Sequence, residues 1–252
     1  MPLDLLPSEI FAYFLVFARV GSLVMLLPAL GETSVPVPVR LSLALVLSFV
    51  ILPLVRDSLP ALPADLWPMT TLLVGEILVG LVIGISARIF VSALHVAGMV
   101  IAYQAGLGAA MAFDPVQSAQ GALFGTFLML VGVTLIFATG LHYVMIAAMR
   151  DSYSLLNPAQ IPGADQFARL VVGAVARSFR IGIEMAAPFL VYGLVFNIGL
   201  GLIARLMPQL QVFFIAMPLN IVLGFAVLLV SIGGIMGWFL AHFEDFITQF
   251  LR

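Results

Sequence analysis

The chain consists of long apolar runs, interrupted at intervals by prolines and single charges, and not of alternating apolar and polar positions. Six runs stand out: Ile10 to Leu30, broken by Arg19; Leu41 to Val55, short and carrying Pro53; and a stretch from Trp67 past Glu76 and Arg88 into the charge-free residues Ile89 to Phe113. The others are Gly121 to Met149, Phe167 to Ala204, and Pro208 to Phe243, the last interrupted by Pro218 and Gly233-Gly234. A helix crossing the hydrocarbon core needs about 20 mostly apolar residues. A membrane barrel would instead alternate over segments of ~10 residues. The pattern therefore predicts an all-α membrane-associated chain of six proline-interrupted helical segments. The third run is long enough for two helical pieces or one long helix. Prolines at 36 and 38, 60 and 63, and 158 and 162 remove backbone donors in the links and mark hairpin turns. No repeat or shift of composition divides the sequence, so one integral domain over residues 1–252 is expected.

Composition narrows the class further. Of 252 residues, 63% are hydrophobic and 9% charged, and the mean hydropathy is +1.22. Soluble domains are ~45–50% apolar and ~25% charged, which excludes an ordinary globular protein, and disordered chains deviate in the opposite direction. The charges are ten arginines and twelve acids, with no lysine and no cysteine, for a net charge of −2. No basic patch exists to neutralise a phosphate backbone, so nucleic acid is not an expected partner. Schiff-base, thiolate and iron–sulfur chemistry lack their residues. Glu9 precedes the first apolar run, and the start lacks the positive region and small-residue cleavage site of a signal peptide, so that run is expected to stay. Orientation is not legible: Arg40 is offset by Glu32, Arg56 by Asp57 and Arg150 by Asp151, and single arginines on successive loops do not alternate. Burial of much of the chain in a protein assembly would explain this.

Candidate catalytic clusters are missing. His95, His142 and His242 are isolated, without ligand spacing for a metal. Ser86 lacks the second glycine of a nucleophile elbow and a histidine base. Gly106-Leu107-Gly108 lacks the third glycine and preceding strand of a nucleotide loop. Glu244 and Asp245 diverge by about 100° on a helix and read as a solvated end. No catalytic, cofactor or metal site is assigned, and no enzyme is expected.

Charges embedded in apolar runs are more informative: Arg19, Glu76, Arg88, Arg205 and the set Arg169, Arg177, Arg180 and Glu184. A charge at bilayer depth costs at least ~2.5–3.5 kcal/mol, so each should face protein, water or a partner charge. Positions 169, 173, 177, 180 and 184 step by four, four, three and four, which puts three arginines, Gly173 and Glu184 on one helix face. That face meets subunits or a wet channel, or else Arg180 and Glu184 simply pair on the helix. Glu76, Gly80, Gly84 and Arg88 repeat every four residues, and Gly80-x-x-x-Gly84 permits close backbone approach. The stretch Ala105 to Ala112, followed by Phe113-Asp114-Pro115 and the polar run Gln117 to Gly121, should not continue a helix. It reads as an irregular loop, either enclosed by protein or lining a cavity, or lying at the surface.

Four stretches together resemble a known family. They are Phe17 to Pro28 (FARVGSLVMLLP) with Ser34 to Leu45 (SVPVPVRLSLAL), Gly75 to Gly84 (GEILVGLVIG), Ala97 to Leu107 (AGMVIAYQAGL) with Phe113-Asp114-Pro115, and Arg205 to Asn220 (RLMPQLQVFFIAMPLN), with its helix-break prolines Pro208 and Pro218. In these the chain resembles the FliR family of the flagellar type III protein-export gate, whose injectisome counterparts are called SctT. The resemblance implies a subunit built into a closed helical assembly with FliP and FliQ. It would supply a FliP-like part (1 to ~165) and a FliQ-like part (~166 to 252), with FlhB, FlhA and the basal-body MS ring as further partners. It implies a non-enzymatic pore subunit, without cofactor, in the bacterial inner membrane at the flagellar basal body, passing unfolded flagellar proteins. The family's pore plug falls on Gly106, Leu107, Gly108, Met111, Phe113, Asp114, Pro115, Gln117 and Gly121, and the embedded charges become subunit contacts. Two rival readings stay open. A small-solute or ion-coupled transporter would use Glu76, Arg88 and Glu184 as midplane sites, and an intramembrane enzyme would need a residue cluster that is not evident.

Overall fold

Helices account for every regular element in the computed structural model, which describes residues 6–32, 34–106, 119–158, 163–207 and 212–249. In chain order the α-helices are α1 (Leu6–Leu26), α2 (Val37–Val55), α3 (Leu66–Val91), α4 (Ala93–Gln104), α5 (Ala119–Ala138), α6 (Leu141–Leu155), α7 (Ala164–Leu206) and α8 (Val212–Thr248), with a 3-10 turn at Arg56–Ser58 after α2. They follow the six predicted runs. α3 and α4 share one run with the turn residue Ser92 between them, and α5 and α6 share another, broken at Thr139-Gly140 where Gly140 takes φ +77°. Among the described residues five helical stretches are long and apolar enough to cross a membrane, or six if the broken α5–α6 pair counts as one.

Local chemistry explains most boundaries. Pro36 precedes α2 and Pro38 lies in its first turn, where a missing N–H is harmless. The prolines at 60 and 63 fall in the link before α3. The expected interruptions of the last run are not seen. α8 runs unbroken through Pro218 and Gly233-Gly234, and α7 runs through Pro188. In apolar surroundings no water replaces a lost backbone bond, so the remaining intrahelical bonds hold the helix together where solvent would let it break. α5 begins at Ala119, so Gly121 belongs to a helix and not to the predicted loop, while residues 107–118 lie outside the described residues.

Two compact units form from discontinuous stretches: residues 1–90, 136–176 and 243–252, and residues 91–135 and 177–242. In the first unit α1 is the central helix. Phe11, Ala12, Leu15, Val16, Val20, Leu23 and Val24 are each no more than 2% exposed and recur at helical steps. α3 crosses α1 closely at the predicted glycine pair: a Cβ at Gly80 would stand 2.5 Å from the Arg19 carbonyl oxygen, and one at Gly84 2.8 Å from Leu26 Cβ. Phe90 packs on Phe246, with ring centroids 4.7 Å apart.

In the second unit α4 is central, and small residues let three helices approach it. A Cβ at Gly98 would meet the backbone of Gly125 on α5 at 2.4 Å, one at Gly182 on α7 would meet the Ala93 carbonyl at 3.0 Å, and one at Gly224 on α8 would meet Ala105 Cβ at 2.5 Å.

Candidate functional site

Arg19 sits in the middle of α1 with its side chain fully buried, and its partners come from two other helices of the first unit. Its Nε donates to Glu76 Oε2 at 2.6 Å and its Nη2 to Glu76 Oε1 at 2.9 Å, a bidentate pair with α3. Its remaining donors reach the last turn of α6. Nη1 donates to the Ser152 carbonyl at 3.0 Å and Nη2 to the Leu156 carbonyl at 2.8 Å. These carbonyls lie at a helix C-terminus, where the dipole favours a cation; the Ser152 carbonyl also accepts the Leu156 N–H at 2.9 Å. The guanidinium also lies 4.0 Å from the centre of the Tyr153 ring, a cation–π contact. One buried cation thus joins α1, α3 and the end of α6, and Glu76, 2% exposed, has both oxygens engaged by it.

The expectation that Arg19 and Glu76 face sister subunits is corrected here, because both are enclosed within this chain. The transporter reading also loses its main acid, since an engaged carboxylate has no oxygen turned toward a passing ion. Ser152 and Tyr153, which complete the node, escaped the sequence reading. Their positions directly after Arg150-Asp151 look like an ordinary polar helix end.

The other embedded charges are at the surface of the chain. Arg169 donates to Asp165 at 2.6 Å and Arg180 to Glu184 at 2.8 Å, both one turn apart along α7. Arg177 is exposed on the same face, and among the described residues a Cβ at Gly173 would meet nothing within 4 Å, so the face is open around Gly173. Arg88 and Arg205 are exposed, and neither has an ion-pair or hydrogen-bond partner among the described residues.

At the other predicted feature, Gly106 closes α4 with φ +81° and is buried against Asn220 of α8. Leu107, Gly108, Met111, Phe113, Asp114, Pro115 and Gln117 lie outside the described residues, as does Pro208. Asn220 and its neighbour Tyr192 were not singled out from the sequence, although each is an isolated polar residue within a long apolar helix. Among the described residues no three histidine or acidic side chains are grouped to hold a metal.

Long apolar helices crossing at glycines around a buried charge node define an integral membrane protein. Comparison with known proteins gives its family: the model for "Bacterial export proteins, family 1" matches residues 10–246. The flagellar biosynthetic protein FliR of Caulobacter vibrioides is 38% identical over 231 residues, covering 91% of this chain and 92% of that protein. FliR of Bacillus subtilis is 30% identical, covering 90% and 87%. The Yop proteins translocation protein T of Yersinia pestis is 28% identical, covering 86% and 84%. The chain therefore belongs to the family 1 bacterial export proteins, the family of FliR.

Proposed function

We propose that this chain is the FliR-type subunit of a flagellar type III protein-export gate, helping to form and close the channel through which unfolded flagellar proteins leave the cytoplasm. The observation that carries this reading is the 38% identity to a flagellar FliR over 91% of the chain. On this reading the protein is an inner-membrane component at the flagellar basal body and acts without catalysis, its energy coming from other parts of the export machine. FliP and FliQ are its immediate partners, with FlhB, FlhA and the MS ring beyond them. The FliP-like part corresponds to α1–α6 and the FliQ-like part to the α7–α8 hairpin. Gly106 to Gly121, from the end of α4 into the first turn of α5, closes the channel at rest. Arg169, Arg177, Arg180 and Glu184 contact neighbouring subunits, a role supported by their open face on α7. Arg88 and Arg205, both exposed, are contacts of the same kind.

The test is to extract the tagged protein gently with co-expressed FliP and FliQ and to weigh the product by native mass spectrometry. One copy of this chain with several copies of both partners is expected. A chain that runs alone or as a simple homo-oligomer would overturn the assignment. Within an assembled gate, replacing residues of the 106–121 segment with Gly-Ser linker should raise small-ion leakage, and unchanged leakage would remove the closing role.

A further inference from the structure

Between Arg180 and Arg205 the only charge on α7 is Glu184, and α8 carries no arginine or acid from Val212 to Phe243. Beside Glu184 the two helices enclose a cavity of about 300 Å³ within the second unit. Its walls include Glu184 and Pro188 of α7 and Val230, Ser231, Gly234 and Trp238 of α8. Arg180 holds Glu184 by one bond, Nε to Oε1 at 2.8 Å, and Oε2 has no hydrogen bond among the described residues. The Glu184 side chain is 33% exposed, so it is not sealed in the core as Glu76 is. Ser231 donates its hydroxyl hydrogen to the Val227 carbonyl at 2.7 Å, which leaves its oxygen lone pairs as acceptors. Pro188 has no N–H to give the Glu184 carbonyl one turn earlier, so that oxygen lacks its usual helical donor. Trp238 adds a half-exposed aromatic ring. A carboxylate oxygen, a hydroxyl oxygen, a carbonyl oxygen and a ring face all attract a cation, and no cationic side chain lines the cavity among the described residues.

We propose that this cavity is a socket for one lysine or arginine side chain from a helix of a neighbouring gate subunit, with Glu184 Oε2 as its counter-ion. Charge complementarity selects the occupant: an ionised group amid apolar helices calls for a partner charge, and the groups around it accept and do not donate. The volume lies at the small end of the ~300–1,000 Å³ of ligand pockets, which suits a single long side chain. The surface beside the cavity suits a helix as its carrier. A Cβ added at Gly233, Gly234 or Gly237 of α8 would meet nothing within 4 Å among the described residues, and such bare backbone lets a second helix come close. The inference rests on the reading of the α7 face as a subunit contact, and it names the group that the contact receives.

The experiment uses the complex assembled from this chain with co-expressed FliP and FliQ. The photo-reactive residue p-benzoylphenylalanine replaces Val230, which lines the cavity and is exposed, and the peptide it captures is identified by mass spectrometry. A FliP or FliQ segment with a lysine or arginine within one helical turn of the captured residue is expected. Glu184→Gln keeps the shape and removes the charge, and Gly234→Leu fills the opening from a position where a Cβ meets nothing. Each should lower the recovered complex several-fold and leave the thermal midpoint of the isolated chain unchanged. Glu184→Arg should also lower recovery, and exchange of the captured cation for glutamate should restore it. Capture of lipid alone, capture of a segment without a cation, parental recovery from Glu184→Gln and Gly234→Leu, or no restoration by the exchange would each overturn the socket and leave the gate assignment standing. A parent chain that does not assemble with FliP and FliQ would overturn both.

Discussion

Arg19 and Glu76 show how much depends on a charge having its partner. Taking either ion out of water is expensive, and the pair is tolerated because all four of its mutual and carbonyl contacts are short and well placed. Removing one partner leaves the other buried and alone, which typically costs about 3–5 kcal/mol. Arg19→Ala or Glu76→Ala should therefore lower the thermal midpoint of the detergent-solubilised chain by many degrees. Arg19→Met combined with Glu76→Leu should recover most of the loss, and single variants as stable as the parent would contradict the node. Ser86 is the opposite case. Its hydroxyl is buried with no hydrogen-bond partner among the described residues, so Ser86→Ala should leave stability unchanged or raise it by up to about 1 kcal/mol in the same measurement. That Arg19 needs a polar partner was legible in the sequence, because an arginine amid an apolar run demands one. Which partner was not legible, since Glu76 and Ser152 are 57 and 133 residues away along the chain.

Between helices, glycine does two different jobs, and the backbone next to each decides which. At Gly98 an added methyl would meet the Cα and N of Gly125 at 2.4 Å, atoms that cannot swing aside. At Gly173 it would meet nothing within 4 Å. Gly98→Ala should thus destabilise the chain clearly, whereas Gly173→Ala in the isolated chain should be neutral or stabilising by up to ~1 kcal/mol through helix propensity. If the open α7 face is a subunit contact, Gly173→Leu should spare the isolated chain and reduce the complex recovered with FliP and FliQ. Equal recovery would count against the contact. The Gly80 and Gly84 crossing was legible from its spacing, but the use of Gly98, Gly182 and Gly224 around α4 was not. Their spacing along the chain carries no information about which helix each one faces.

The whole chain leaves much apolar surface uncovered. In the apolar windows of α7 and α8 only 17% and 22% of residues are buried, against 50% in α1 and 56% across α3–α4. With 43 and 37 residues, α7 and α8 extend ~65 and ~55 Å at 1.5 Å per residue. A hydrocarbon core is ~30 Å thick, so lipid alone does not account for their full length. Much of these helices should be covered by neighbouring subunits. The chain has no cysteine, which makes the point measurable. Arg169→Cys and Arg180→Cys should react readily with a membrane-impermeant maleimide in the isolated chain and several-fold more slowly in the assembled gate. Equal rates would place the α7 face outside the assembly.

Hydrophobic periodicity and run length by themselves determined that this protein is helical, how many apolar stretches it has, that prolines 36, 60 and 63 fall at or between helix ends, and that embedded charges require polar company. These are local properties, set by the cost of unpaired backbone groups and uncompensated charges in an apolar medium. Tertiary structure alone decided the pairings. It joined Arg19 to Glu76 and to the end of α6, carried α8 through Pro218, started α5 at Ala119 and not beyond Gly121, and seated Asn220 on Gly106. Each of these depends on which distant segments share a surface, and a one-dimensional pattern holds no record of that.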